Sequence, residues 1–347
     1  MTTVDRKPSS PAPAGPPASS STDGPPAGGG SSTPSRFRRV MSQIPGPLIG
    51  LVVIFIALSF LSPYFLTPRN LLNILSQVSA VGVMSVGALL VILLGGIDLS
   101  VGSVLAVSSM SMAWLYKMAG WPFEVALLAG LAVGALVGLI NGILTAYGKL
   151  QPFIATLATM SAAAGLALFI TNGNPVTGFP EWFVAITSTS FAGIPIQAII
   201  LILIFAIAAF WLRFRPSGRA LYAIGGNEEV ARLSGLPIRR AKIIVYSIAG
   251  VLAAIAGLLV TSRLDSAQPT AGAADLLNVI AVVVIGGASL SGGSGSLLGT
   301  FVGLLIIGVL NNGMSLLNVS PNLQPVVIGA VIVAAVLTDR KSSRRHA

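Results

Sequence analysis

Ten apolar stretches, most of them near the length of a membrane crossing, dominate this chain and leave few folds open to it. They fall at 46–62, 71–94, 99–116, 123–146, 152–171, 195–212, 241–262, 276–289, 297–313 and 323–338. A helix needs roughly 20 apolar residues to cross a hydrocarbon core about 30 Å thick, and only helices or closed barrels satisfy their backbone groups there. The expected fold is therefore an all-α polytopic membrane protein with about ten transmembrane helices. Composition agrees, because 54% of the 347 residues are hydrophobic and 9% charged, more apolar surface than a soluble chain of this size can hide.

Domain organisation follows from composition shifts. Residues 1–45 read as a disordered cytoplasmic tail, since the Pro/Ser/Gly stretch 8–35 holds no aromatic or branched aliphatic side chain to bury. Residues 46–338 are expected to form the transmembrane domain, 213–240 a cytoplasmic loop within it, and 339–347 a basic cytoplasmic tail. Under ten crossings, only Arg69, Lys117 and Arg263 of the 20 Lys and Arg residues fall outside. That asymmetry obeys the positive-inside rule and places both termini in the cytoplasm.

The net charge of +10 is scattered between apolar runs instead of gathered on a soluble face, so nucleic acid is not an expected partner. The chain has no cysteine, and no catalytic triad, metal cluster or paired catalytic carboxylate is evident; catalytic and metal residues are both expected to be absent. The only Gly-Lys pair, Gly148-Lys149, precedes Leu150 and lacks phosphate-loop spacing. Acidic residues avoid the span interiors, Asp275 being assigned to an outer segment, and Asp98 alone lies between two adjoining spans. A self-powered carrier needs ionisable groups or broken helices near the midplane, so the energy is expected to come from a partner.

Three segments carry functional signals. The first, Gly95 to Ser103 (GGIDLSVGS), joins the second and third spans. Gly95 and Gly96 permit a tight reversal, and Asp98 or Ser100 can cap the next helix; the sharper reading makes Asp98 part of a route or gate. The second, Gly286 to Ser294, repeats the two leading glycines, the Leu, the Ser, the later Gly and the final Ser. With both turns inside, the repeat is parallel. The third is the loop 213–240, where Asn227 is a good N-cap, Glu228 and Glu229 suit a helix start, Arg232 follows Glu228 at i+4, and Gly235 with Pro237 ends the helix. That short helix is either a solvated connector or a docking helix. Among intramembrane polar residues, Ser76, Gln77, Asn141, Thr156, Ser161, Asn311 and Asn312 are candidates for lining a route, with helix-to-helix hydrogen bonding the competing role.

Taken together, GGIDLSVGS, NGILTAYGKLQPFIATLATM, YAIGGNEEVARLSGLPIRRAK and NVIAVVVIGGASLSGGSGSLLGT resemble the permease subunits of ribose-type ABC sugar importers, from about residue 46 to 340. The resemblance implies a type II importer permease in the bacterial plasma membrane that pairs with a second copy and takes substrate from an extracytoplasmic solute-binding protein. Cytoplasmic ATPase subunits drive it and use ATP and Mg2+, while the permease itself binds no cofactor. It also implies that Asn227, Glu228, Glu229, Arg232, Leu233 and Gly235 couple to the ATPase. The translocation and gating candidates are Gly95, Gly96, Asp98, Ser100, Asn141, Thr156, Gly286, Gly287, Asn311 and Asn312. The implied substrate is a ribose-like monosaccharide; branched-chain amino acids or nucleosides remain as alternatives, and a secondary carrier or channel is more remote. The Pro/Ser/Gly tail departs from the short N-termini usual in that family.

Overall fold

The computed structural model describes residues 46–331 and 333. The expected tails at 1–45 and 339–347, and the last residues of the tenth span, lie outside them. The described chain is a helical bundle: α1 (Gly46–Leu61), α2 (Pro68–Leu93), α3 (Val101–Lys117), α4 (Phe123–Ala146), α5 (Pro152–Ile170), β1 (Val176–Thr177), α6 (Glu181–Ser188), β2 (Ser190–Phe191), β3 (Ile194–Pro195), α7 (Ile196–Phe214), α8 (Pro216–Gly226), α9 (Glu228–Leu233), α10 (Ile238–Leu264), β4 (Ser266–Ala267), α11 (Asp275–Ile285) and α12 (Leu297–Leu316). A further helix begins at residue 324 and continues to the end of the described residues. Each expected apolar stretch contains one of these helices. Six of them, α2, α4, α5, α7, α10 and α12, are long and apolar enough to cross a membrane. The four two-residue strands, absent from the sequence reading, only pin loops: β1 pairs with β4 antiparallel, and β2 with β3.

Local chemistry explains the helix ends. Thr67 caps α2 by accepting the Asn70 N–H at 3.3 Å, with Pro68 fixing the first turn. At the centre, α4 packs along α10 through glycines spaced four apart. A Cβ on Gly142 would lie 2.7 Å from the Ile243 Cα, and one on Gly138 would lie 2.9 Å from the Tyr246 carbonyl carbon. Such spacing lets two backbones approach where lipid supplies no hydrophobic drive between helices.

Two ends of the bundle can be told apart. One, here the loop end, carries α8 and α9 with the α2–α3 and α11–α12 turns; the other, the far end, carries β1 to β4 and an aromatic cluster of Tyr116, Phe123, Phe179 and Phe183. The eighth expected span, 276–289, is helical only to Ile285. Eleven helical residues rise about 16 Å, half a hydrocarbon core. The reading that broken spans are scarce is thereby corrected. Gly286 and Gly287 end the helix although their apolar neighbours kept the stretch looking continuous, and Asp98 is buried within the bundle.

Candidate functional site

The α9 helix is built as its sequence suggests. Asn227 Oδ1 accepts the Val230 N–H at 3.0 Å, and Gly235 takes φ +79° just past the helix end. The charges pair differently from the expected i+4 geometry. Arg232 Nε donates to Glu229 Oε2 at 3.0 Å, while Glu228 receives Lys242 Nζ at 2.8 Å from the start of α10. With Glu228 drawn back to α10, Glu229 is the carboxylate left on the face Arg232 occupies. The Arg232 bond holds the Glu229 carboxyl below the ordinary glutamate range. Val230 and Leu233 stand exposed, Leu233 at 75%.

An unexpected second helix, α8, connects this element to the core. Its last residues press against both glycine turns: a Cβ on Gly225 would lie 2.6 Å from the Gly293 nitrogen, and one on Gly293 2.7 Å from the Gly226 Cα. Tyr222 donates its hydroxyl to the Gly295 carbonyl at 3.3 Å. The two turns also meet directly, the Gly293 N–H donating to the Leu93 carbonyl at 3.1 Å. Both copies of the repeated segment therefore lie at the loop end, in contact with α8.

The repeat is structural, with its register shifted at the glycines. Gly95 at φ +78° donates to Ile92 while Gly96 donates to Val91; Gly287 at φ +83° donates to Val284 while Ala288 donates to Val283. These are equivalent helix terminations, so the backbone counterpart of Gly95 is Gly287, whereas the sequence match pairs it with Gly286. Beyond the turn, Asp98 accepts the Ser100 N–H at 2.8 Å and Ser289 accepts the Ser291 N–H at 3.2 Å. The sequence pairing holds there.

Asp98 and Ser100 do not cap α3 by the expected bond. Ser100 makes no side-chain cap; its N–H and its hydroxyl both donate to Asp98 Oδ1, the latter at 2.6 Å. The chain continues inward: Asn141 Nδ2 donates to Ser100 Oγ at 2.9 Å, and Thr159 Oγ1 to Asn141 Oδ1 at 2.7 Å. Thr156 donates to the Ile97 carbonyl at 3.1 Å. This network ties the 95–100 segment to α4 and α5 about 8 Å inward from the loop-end terminus of α4. Asn141 and Thr156 are thus committed to partners within the protein. The Tyr246 hydroxyl, buried beside Gly96, has no hydrogen-bond partner among the described residues.

The remaining polar candidates divide. Asn312 and Asn70 exchange reciprocal amide hydrogen bonds at 2.8 and 2.9 Å, so Asn312 joins helices. Ser161 is exposed and bonds its own helix at Leu157. Asn311 and Gln77 face a cavity of about 560 Å³, and Ser76 a neighbouring hollow. Thr159, Asn70, Gly225 and α8 as a whole escaped the sequence reading. The four-residue glycine spacing of α4 and Pro216 at a helix start were the signals available for part of that.

Six helices long and apolar enough to cross a membrane, a cavity with amides over an apolar floor and a short exposed helix tied to a doubled turn fit a multi-pass membrane transport subunit. The comparisons agree with that class. The chain belongs to the branched-chain amino acid transport system permease component family, whose model matches residues 70–336. It is 50% identical over 309 residues to the ribose import permease protein RbsC of Bacillus subtilis (strain 168), covering 88% of this chain and 95% of that protein. It is 46% identical over 301 residues to the RbsC of Escherichia coli (strain K12), covering 85% and 92%. The D-allose transport system permease protein AlsC of the same strain is 39% identical over 300 residues, covering 86% and 92%.

Proposed function

We propose that this chain is the membrane subunit of an ATP-driven, binding-protein-dependent importer that carries a ribose-like monosaccharide across the plasma membrane. The observation that carries the reading is the placement of α8 and α9. The exposed α9 is joined through Gly225 and Gly226 to both glycine turns, so a force on α9 reaches α2–α3 and α11–α12 together. A partner ATPase that closes on ATP and Mg2+ would act there, and two copies of the chain would move as a pair around a shared pathway. The loop end is the cytoplasmic one in this reading, as the basic loop 213–240 favours, and the solute-binding protein meets the far end. The 50% identity shared with a ribose permease over nearly its whole length supports the sugar assignment.

The test is reconstitution of the complete importer in liposomes, followed by uptake of labelled ribose. Uptake should require ATP, the ATPase and the binding protein, and Leu233→Glu on the exposed face of α9 should release the ATPase. Ribose uptake by this chain alone, or uptake of leucine in preference to ribose, would sink the proposal.

A further inference from the structure

The broken span α11 opens onto the 560 Å³ cavity. Gly303 faces Val282 and Gly299 faces Gly286 across α11 and α12, which fixes their antiparallel register. Asp275 is then level with residues 310–311 of α12, about 9 Å short of that helix's far-end terminus. The non-helical segment 268–274 descends to this depth, where a Cβ on Gly272 would lie 3.0 Å from the Gly102 Cα at the start of α3. Irregular backbone at such depth is tolerated where it is buried in protein or lines a water-filled cavity, and discontinuous helices mark where transporters hold substrate.

Side chains around the opening form two stripes. On α2, Asn73 and Gln77 sit one turn apart and Val81 a turn deeper; on α12, Asn311 stands above Ile307 and Leu304. Asn278 from α11, level with Ile307 by that register, brings a further amide down to the apolar floor, below Asn73, Gln77 and Asn311. An uncovered amide in hydrocarbon loses its hydrogen bonds, so this face meets water, substrate or the second copy instead of lipid tails. Amides both donate and accept, as sugar hydroxyls do, and the volume lies within the range of small-molecule sites.

Resting on the sugar-permease reading above, we propose that this cavity is a transit site for an uncharged polyol. Asn278 and Asn311, with Gln77 and Asn73, replace water on the substrate's hydroxyls before the floor of Val81, Leu304 and Ile307 opens. Arg263 and Asp275 also line the cavity, so a zwitterionic amino acid is the competing occupant that the test must include.

The natural absence of cysteine makes the test direct. Asn278→Cys and Asn311→Cys are introduced singly into the complete importer in proteoliposomes and exposed, from the far end, to a membrane-impermeant charged thiosulfonate. Asn312→Cys, buried against Asn70, is the control. Both cavity thiols should react and the control should not; saturating ribose should slow the cavity reactions about tenfold, as a nearly filled site requires. Silent cavity thiols, rates indifferent to ribose, or protection by leucine alone would overturn the assignment. Asn311→Leu should lower ribose uptake about tenfold at equal membrane abundance, with Asn311→Gln partly restoring it, because substrate hydroxyls lose a partner. Full uptake by Asn311→Leu would also overturn it. If the unsubstituted importer takes up another uncharged sugar and not ribose, while that sugar protects both thiols, the ribose reading fails and the transit site stands.

Discussion

The joint between α8 and the two glycine turns predicts a sharp difference between adjacent glycines. In Gly225→Ala, the new methyl would press on the Leu93 carbonyl oxygen and lie 2.6 Å from the Gly293 nitrogen and 2.9 Å from the Leu93 carbonyl carbon. All three are backbone atoms, so no rotamer change relieves the overlap. Overpacking of this kind costs about 1–3 kcal/mol, and separating the turns also strains the Gly293 N–H bond to Leu93, worth about 1 kcal/mol. Together these weaken the seating of α8 by about 2–4 kcal/mol, roughly 30- to 900-fold in its docking equilibrium. A Cβ on the neighbouring Gly226 meets nothing within 4 Å, so Gly226→Ala adds the same methyl without the clash. Uptake and ATP hydrolysis are measured side by side in proteoliposomes holding the whole importer. Gly225→Ala should retain ATPase activity while sugar moved per ATP falls at least tenfold; Gly226→Ala should behave as the unsubstituted protein. Normal coupling in Gly225→Ala, or equal damage in both variants, would refute the view that α8 transmits motion through this contact.

Other contacts make further predictions. Asn312→Leu should lower the thermal midpoint in detergent, at a cost of about 1–2 kcal/mol, because the Asn70 amide is left without its partner; adding Asn70→Leu should recover part of that loss, and strict additivity would deny the pairing. Asn141→Leu removes the link between Ser100 and Thr159 and should destabilise by about 2 kcal/mol, read by the same melt, with Asn141→Gln, which keeps an amide donor and acceptor, less damaging than Leu if hydrogen bonding is the cause. The Glu229 carboxyl is held below its ordinary range by Arg232, so the pair is intact above the usual glutamate titration and is lost only as pH falls through the depressed value. Carbon NMR of labelled glutamate should show Arg232→Gln moving that titration upward; an unmoved curve would mean that the pair does not form in solution.

Much of the architecture was legible because lipid imposes a simple rule. Apolar length alone placed a helix in each of the ten expected stretches, the tenth as far as the described residues run, and Asn227, Gly235 and Pro237 bounded α9 through local capping chemistry that needs no distant partner. Ion pairing on that helix was less legible: Glu228 at four residues and Glu229 at three are both within helical reach of Arg232, and only the position of Lys242 on α10 draws Glu228 away. The same holds for the polar candidates. Asn311 and Asn312 are adjacent and chemically identical, yet α12 turns one into the cavity and the other onto Asn70. A helix rotates successive side chains by about 100°, and sequence alone does not say which neighbour each direction meets.

By itself, then, the sequence determined the solvent of this protein, its helical class, the doubled glycine turn and the short exposed helix, since hydropathy, backbone freedom and capping act within a few residues. Tertiary structure decided that α11 is half a span, that Asp98 belongs to a closed network reaching Thr159, and that α8 braces both turns at once. Those features depend on which surfaces of distant segments are brought within hydrogen-bonding or van der Waals range, and only the packed bundle fixes that.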